Sequence, residues 1–195
     1  MKKIPTLYKR VFLNHKVVEV MDEITPGCEE AFYNGIATIK VDGSCCAFIN
    51  GEFYKRYDAK RGKKPPEGAI PCSDPDPVTG HWPHWVKIDE NNPSDRWFIE
   101  AAKNYIPPYG HLTIPDGTYE ALGPHFNANP YALNYDVLKP HGCDEVDVER
   151  DFRSIKKWLD EHHEEGLVFW LNGEPVCKIK RTDFGLKWPW WTGGV

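Results

Sequence analysis

The chain has 195 residues, a formal net charge of −5 and 41% hydrophobic residues. That length fits one domain with a sizeable core, here expected to span residues 1–195, and the composition excludes general disorder. The 17 prolines and 16 glycines argue against a helical bundle, and the acidic balance counts against extended, nonspecific duplex binding while leaving room for a local basic groove.

Met1-Lys2-Lys3-Ile4-Pro5 lacks the apolar core of a secretory leader, and no run reaches the length of a membrane span. A cytoplasmic protein with reduced cysteines and no membrane contact is expected. Of the six cysteines, the adjacent Cys45 and Cys46 point to opposite faces of a strand. The other four show no Cys-x-x-Cys spacing, so no structural zinc is expected.

In chain order, residues 7–20 alternate loosely and predict one or two strands, with Lys9 and Arg10 as surface charge. Residues 22–33 hold Pro26-Gly27 and read as turns. Strands are predicted at residues 36–41, 45–49 and 52–57, the last two joined by an Asn50-Gly51 hairpin. Asp42-Gly43-Ser44 reads as a turn with Lys40 at its mouth. Residues 58–93 form a turn-rich insertion. Its Lys60-Arg61-Gly62-Lys63-Lys64-Pro65-Pro66 stretch cannot be a central strand, and its paired tryptophans, Trp82 and Trp85, imply an ordered loop. A helix is predicted over residues 93–105, with Ser94 as a cap and Pro107-Pro108 as its stop. Residues 110–122 read as turn then strand, and residues 131–138 as a strand or strand-flanked turn. Residues 151–163 carry the helical stripe Phe152, Ile155, Trp158 and Leu159. Residues 166–171 and 175–180 pair across Asn172-Gly173. The sum is an α+β chain dominated by antiparallel hairpins. It has neither Gly-x-Gly-x-x-Gly nor a Walker loop.

Four segments carry chemistry. A lysine fixed at a strand end, as in Lys40-Val41-Asp42-Gly43, can be desolvated and crowded by cations, and both favour a neutral, nucleophilic amine. Glu120, in Thr118-Tyr119-Glu120-Ala121-Leu122-Gly123, can accept hydrogen bonds from hydroxyls. Glu165, in Glu165-Gly166-Leu167-Val168-Phe169, offers an oxygen ligand of the kind magnesium takes. Lys178 and Lys180 are two apart on a strand and share a face, where two ammoniums repel unless a polyanion lies between them. Asp42 is either a turn cap or a group that positions Lys40 or an acceptor end.

In this order the segments resemble the covalent nucleotidyltransferase superfamily of DNA ligases, RNA ligases and mRNA capping enzymes. With Ser44-Cys45-Cys46 following, the resemblance is strongest to a small family of ATP-dependent 5′–3′ RNA ligases. DNA ligases commonly place an arginine where Ser44 and Cys45 stand. The resemblance implies an ATP-grasp-like ligase domain, with two antiparallel β-sheets flanked by helices and the nucleotide between the sheets. The residues after Lys180 are too few for an OB-fold domain.

It also implies roles. Lys40 would carry AMP, Asp42 would act beside it, and Glu120 would hold the ribose. Glu165 would hold magnesium or manganese, and Lys178 and Lys180 would contact the α-phosphate. Arg56 would meet the ribose or an acceptor 5′-phosphate, with Arg61 as the other register, and Tyr135 would stack on adenine. The implied activity joins RNA 5′-phosphate and 3′-hydroxyl ends through lysyl-AMP and RNA-adenylate, with no obligate protein partner. The alternatives are a GTP-dependent capping guanylyltransferase and a non-catalytic module that binds RNA ends.

Overall fold

The computed structural model describes residues 3–13, 16–77, 79–106 and 113–189. The chain separates into two compact units. One holds residues 4–41 and 142–195, the other residues 1–3 and 42–141.

In the first unit, β1 (Tyr8–Leu13) and β2 (Lys16–Ile24) form an antiparallel pair with two register shifts. The predicted strand character of residues 7–20 is therefore real, and it extends further along the chain. After helix α1 (Glu29–Asn34), β3 (Ile36–Lys40) is the edge of a three-stranded antiparallel sheet with β10 (Gly166–Leu171) and β11 (Glu174–Lys180). Asn172 and Gly173 take φ of 51° and 78°, the left-handed pair that a two-residue hairpin turn needs. Helix α3 (Phe152–Glu161) starts where Asp151 accepts from the backbone N–H groups of Arg153 and Ser154. Its Ile155 and Leu159 are wholly buried with Ala37, Leu167, Phe169, Cys177 and Ile179. On β3, β10 and β11 these core residues alternate with the outward ones, as the period of a half-buried strand requires.

The second unit is a six-stranded antiparallel sheet, ordered β6-β7-β5-β4-β8-β9. Its strands are β4 (Ser44–Ile49), β5 (Glu52–Ala59), β6 (Ile70–Pro71), β7 (Trp82–Lys87), β8 (Gly117–Leu122) and β9 (Val137–Pro140). Asn50 and Gly51 turn β4 into β5 at φ of 52° and 75°, and their N–H groups donate to Asp116. Helix α2 (Arg96–Lys103) covers one face, where Cys46, Ala101, Tyr119, Ala121, Phe126 and Leu138 form the core.

Several expectations are corrected. β3 and β4 do not pair: β3 joins β10, whereas β4 lies between β5 and β8, so Asp42-Gly43 is not a hairpin turn. The stretch read as tryptophan-rich turns contains β7, which pairs with β5 along Tyr54–Lys87 through Ala59–Trp82. Pro83 and Gly80 disguised it. The cap near residue 94 is Asn92, whose side chain accepts the Ser94 N–H, and Ser94 is itself a donor to Asn92. Of the two readings of residues 131–138, the turn leading into a strand holds: residues 132–136 are irregular and the strand starts at Val137, while Asn127, Ala128, Asn129 and Ala132 all hold positive φ. The stop at Pro107-Pro108 lies outside the described residues. Among the described residues no helix is long and apolar enough to cross a membrane.

Gly166 is the tightest point of the three-stranded sheet. A Cβ there would stand 2.1 Å from the Ile179 carbonyl oxygen, and the next nearest atoms are also β11 backbone, which cannot give way as a side chain would. Gly166→Ala should cost about 2 kcal/mol or more, read as a lowered denaturation midpoint at unchanged slope. Gly51→Ala meets open space and should cost only the left-handed penalty of about 1 kcal/mol.

Candidate functional site

The three-stranded sheet gathers one group of the predicted residues. Gly166 pairs with Lys40 on one side and with Lys180 on the other. Directly paired residues share a face, so both lysines flank a position that has no side chain. Val168, two residues along β10, pairs with Thr38 and Lys178. Lys40, Lys178 and Lys180 therefore stand on one face, while Leu167, Phe169, Cys177 and Ile179 fill the core from the other.

Glu165 precedes the bare position and is 2% exposed. Its Oε2 lies 2.5 Å from the Lys40 Nζ and its Oε1 lies 2.6 Å from the Lys180 Nζ. Lys40 also donates to the Val41 carbonyl at 3.3 Å. Lys178 makes no ion pair among the described residues. Burial, then the neighbouring charges of Lys40 and Lys180, lower its pKa to about 8. Both of its backbone groups bond to the segment before β1, accepting from the Leu7 N–H at 2.7 Å and donating to the Pro5 carbonyl at 3.1 Å. Three amines facing one carboxylate make a seat for a polyanion.

Asp183 orients the end of β11. Its Oδ2 accepts the Lys180 N–H at 2.9 Å, and its Oδ1 accepts from Arg10 Nε at 3.0 Å and Nη2 at 2.7 Å. Arg10 is thus committed to a buried acid, which its surface reading did not reveal. Arg181 is buried and donates to the carbonyls of Leu159, His162 and Lys187.

The other predicted residues lie in the second unit. Glu120 on β8 accepts the Gly43 N–H at 3.1 Å through Oε1, and its Oε2 is 2.7 Å from His141 Nε2. Glu120 pairs with Cys45. One step from the Cys46–Lys55 pair, Arg56 stands opposite Cys45. Arg56, Cys45 and Glu120 thus form a row on the face away from the core, and Arg56 Nε donates to Asp58 at 2.9 Å. Burial, then the Glu120 charge, push the Cys45 thiol up to about 12. Arg56's neighbour Lys55 is turned to the opposite face, where it pairs with buried Asp95.

β3 stops at Lys40, so strand alternation does not carry Asp42 onto the lysine's face. Asp42 Oδ1 accepts from Asn127 Nδ2 at 2.9 Å, and its backbone N–H donates to the Tyr131 hydroxyl at 2.8 Å. Asn127 Nδ2 also lies 2.6 Å from the Gly43 carbonyl. Tyr135 is 59% exposed and forms no part of the core. His141 and Asn127 have roles that sequence reasoning did not assign. His141 left no sequence signal for this, because its place beside Glu120 comes from the pairing of β8 with β9.

No protein-family model matches the chain. The chain is similar to proteins named RNA ligase 1, with 27% identity to that of Rattus norvegicus, 26% to that of Mus musculus and 25% to that of Pongo abelii. Each likeness covers 80% of this chain and 69% of the relative. These likenesses support kinship with RNA ligases.

The crowding of Lys178 has a measurable consequence. Its folded pKa of about 8 lies below the unfolded value of about 10.4. Between these the unfolded chain binds the extra proton, so stability rises with pH across that window. Lys178→Met should abolish the rise and lift the melting temperature at neutral pH by about 2–4 °C, the shift that about 1 kcal/mol gives at this size. Melts recorded from pH 7 to pH 11 check both.

Proposed function

We propose that this chain is an ATP-dependent RNA ligase that joins a 5′-phosphate end to a 3′-hydroxyl end through a lysyl-AMP intermediate. The observation that carries this reading is the single face on which Glu165 lies between the amines of Lys40 and Lys180, with Lys178 beside them. The likeness to proteins named RNA ligase 1 supports RNA as the class of substrate.

Lys40 is the nucleophile. Its nitrogen attacks the α-phosphorus of ATP and pyrophosphate leaves. An ammonium has no lone pair, so a proton must go first, and Glu165 Oε2 is within reach to accept it. Lys178 and Lys180 neutralise the nonbridging oxygens where charge develops, without reorganising at the moment of reaction. The RNA 5′-phosphate then takes AMP from Lys40. In the last step the 3′-hydroxyl forms the phosphodiester and AMP departs. Glu120, fixed by Gly43 and His141, is assigned the ribose hydroxyls. Arg56 is assigned the ribose or the acceptor phosphate, Asp42 the positioning of the reacting groups, and Tyr135 the adenine face.

The chemistry of the donor set fits magnesium or manganese at Glu165 in a limited way. Among the described residues no cluster of three acids, histidines or cysteines includes Glu165. A single carboxylate completed by phosphate oxygens and water is how magnesium is commonly held at nucleotide sites. When bound there, the metal would supply further neutralisation of the phosphates.

Incubation with ATP labelled at the α-phosphate, with magnesium, should give a covalent AMP adduct mapping to Lys40. Lys40→Ala should give none. Glu165→Gln and Lys178→Met should each slow adduct formation by about 10²-fold. Labelling by GTP and not ATP would replace the reading with guanylyl transfer. RNA binding with no adduct from either nucleotide would replace it with an end-binding module.

A further inference from the structure

The polar row on the six-stranded sheet contains a group of ligands of which the proposed adenylyl transfer uses only Glu120. Cys45 on β4 pairs directly with Glu120 on β8, and Glu120 pairs with Lys139 on β9. His141 is two residues past Lys139, and its N–H donates to the Thr118 carbonyl at 3.0 Å, which continues the ladder beyond the strand. It therefore shares the face of Lys139, Glu120 and Cys45. A sulfur, a carboxylate oxygen and an imidazole nitrogen from these three side chains lie within 4.8 Å of one another. Tetrahedral zinc bonds of about 2.0–2.3 Å hold ligand atoms roughly 3.3–3.8 Å apart, which lies inside that limit.

The donor set has a definite preference. Sulfur with imidazole selects zinc and its thiophilic relatives, whereas magnesium takes oxygen. Three protein ligands leave a fourth tetrahedral position open to water or an exchangeable group. The histidine tautomer is also free to change. Nε2 lies against Glu120 Oε2, while Nδ1 is buried without a partner. Moving the ring proton to Nδ1 breaks no bond made there, and Nε2 then offers its lone pair beside the carboxylate. Gly43 holds the other Glu120 oxygen and so fixes the direction in which Oε2 points.

We propose that Cys45, Glu120 and His141 form a binding site for a thiophilic divalent cation of the zinc class. Binding releases the Cys45 thiol proton to solvent and leaves the sulfur as thiolate. It also takes the carboxylate assigned above to the ribose, so zinc at this site opposes nucleotide binding. The site itself does not depend on the ligase reading.

Cobalt(II) is the probe, because a thiolate ligand in a tetrahedral site gives an intense charge-transfer absorption. The protein is used as the Lys40→Ala variant, which cannot form an adduct, so the result is independent of adenylylation. One cobalt per chain should bind with that absorption, and equimolar zinc should bleach it. Cys45→Ser should remove the absorption, and His141→Ala should weaken cobalt binding at least about tenfold. Cys143→Ser, at an exposed position, should change neither. Circular dichroism of each variant separates loss of a ligand from loss of fold. Absence of the charge-transfer absorption in the parent, or its survival in folded Cys45→Ser, would overturn the proposal. Loss in Cys143→Ser would do the same.

Discussion

The buried carboxylate of Glu165 is the constraint on which the lysine face depends. Taken from water alone, an ionised carboxylate costs several kcal/mol, and here two ammoniums offset that cost, one on each oxygen. The arrangement is possible because Gly166 follows. Any larger residue at 166 would collide with the backbone of β11, and a side chain there would stand between Lys40 and Lys180. A glutamate–glycine pair at the start of a central strand thus does two things. It brings neighbouring strands close, and it supplies the charge that lets their lysines share one face. Removing that charge would leave three amines facing one another, which explains why the acid is the most enclosed polar group of the cluster.

Much of this was legible in the sequence because it is local. Alternation over residues 175–180 placed Lys178 and Lys180 on one face, and Asn172-Gly173 and Asn50-Gly51 fixed the registers of two hairpins. Asp151 and the stripe through Ile155 and Leu159 marked α3 at both the cap and the core. In each case the signal and the structure it specifies lie within a few residues, so turn chemistry and side-chain period suffice.

The remainder is long-range and left weak local traces. β3 finds its partner 125 residues away, as the Lys40–Glu165 contact shows, and nothing near Lys40 says that β10 and not β4 will be its neighbour. β7 was hidden because Pro83 and Gly80 satisfy every local criterion for a turn. Its strand character comes from pairing with β5 over six residues, and tertiary pairing routinely overrides local propensity. The same holds for His141 and Asn127, whose roles exist only because sheet register and a run of left-handed residues bring them to Glu120 and Asp42.

Charge shows why composition misleads about function. The total is −5, yet the lysine face is locally positive, while several cations elsewhere are paired with acids. Lys9 pairs with Glu23, Arg10 with Asp183, Lys55 with Asp95, Arg56 with Asp58 and Lys87 with Glu52. Arg181 is spent on backbone carbonyls. Exposed pairs such as Lys87–Glu52 contribute little to stability, but they cancel long-range fields that would otherwise dilute a local one. What survives is the imbalance of three amines against one buried acid, enclosed enough to lower the pKa of Lys178 to about 8. A free acidic ligand is drawn to such a point by the local excess and not by the sum, since beyond about 8 Å salt screens the rest. A chain of negative total charge can therefore present a strong anion seat, because the sum over the chain does not set the balance at one face.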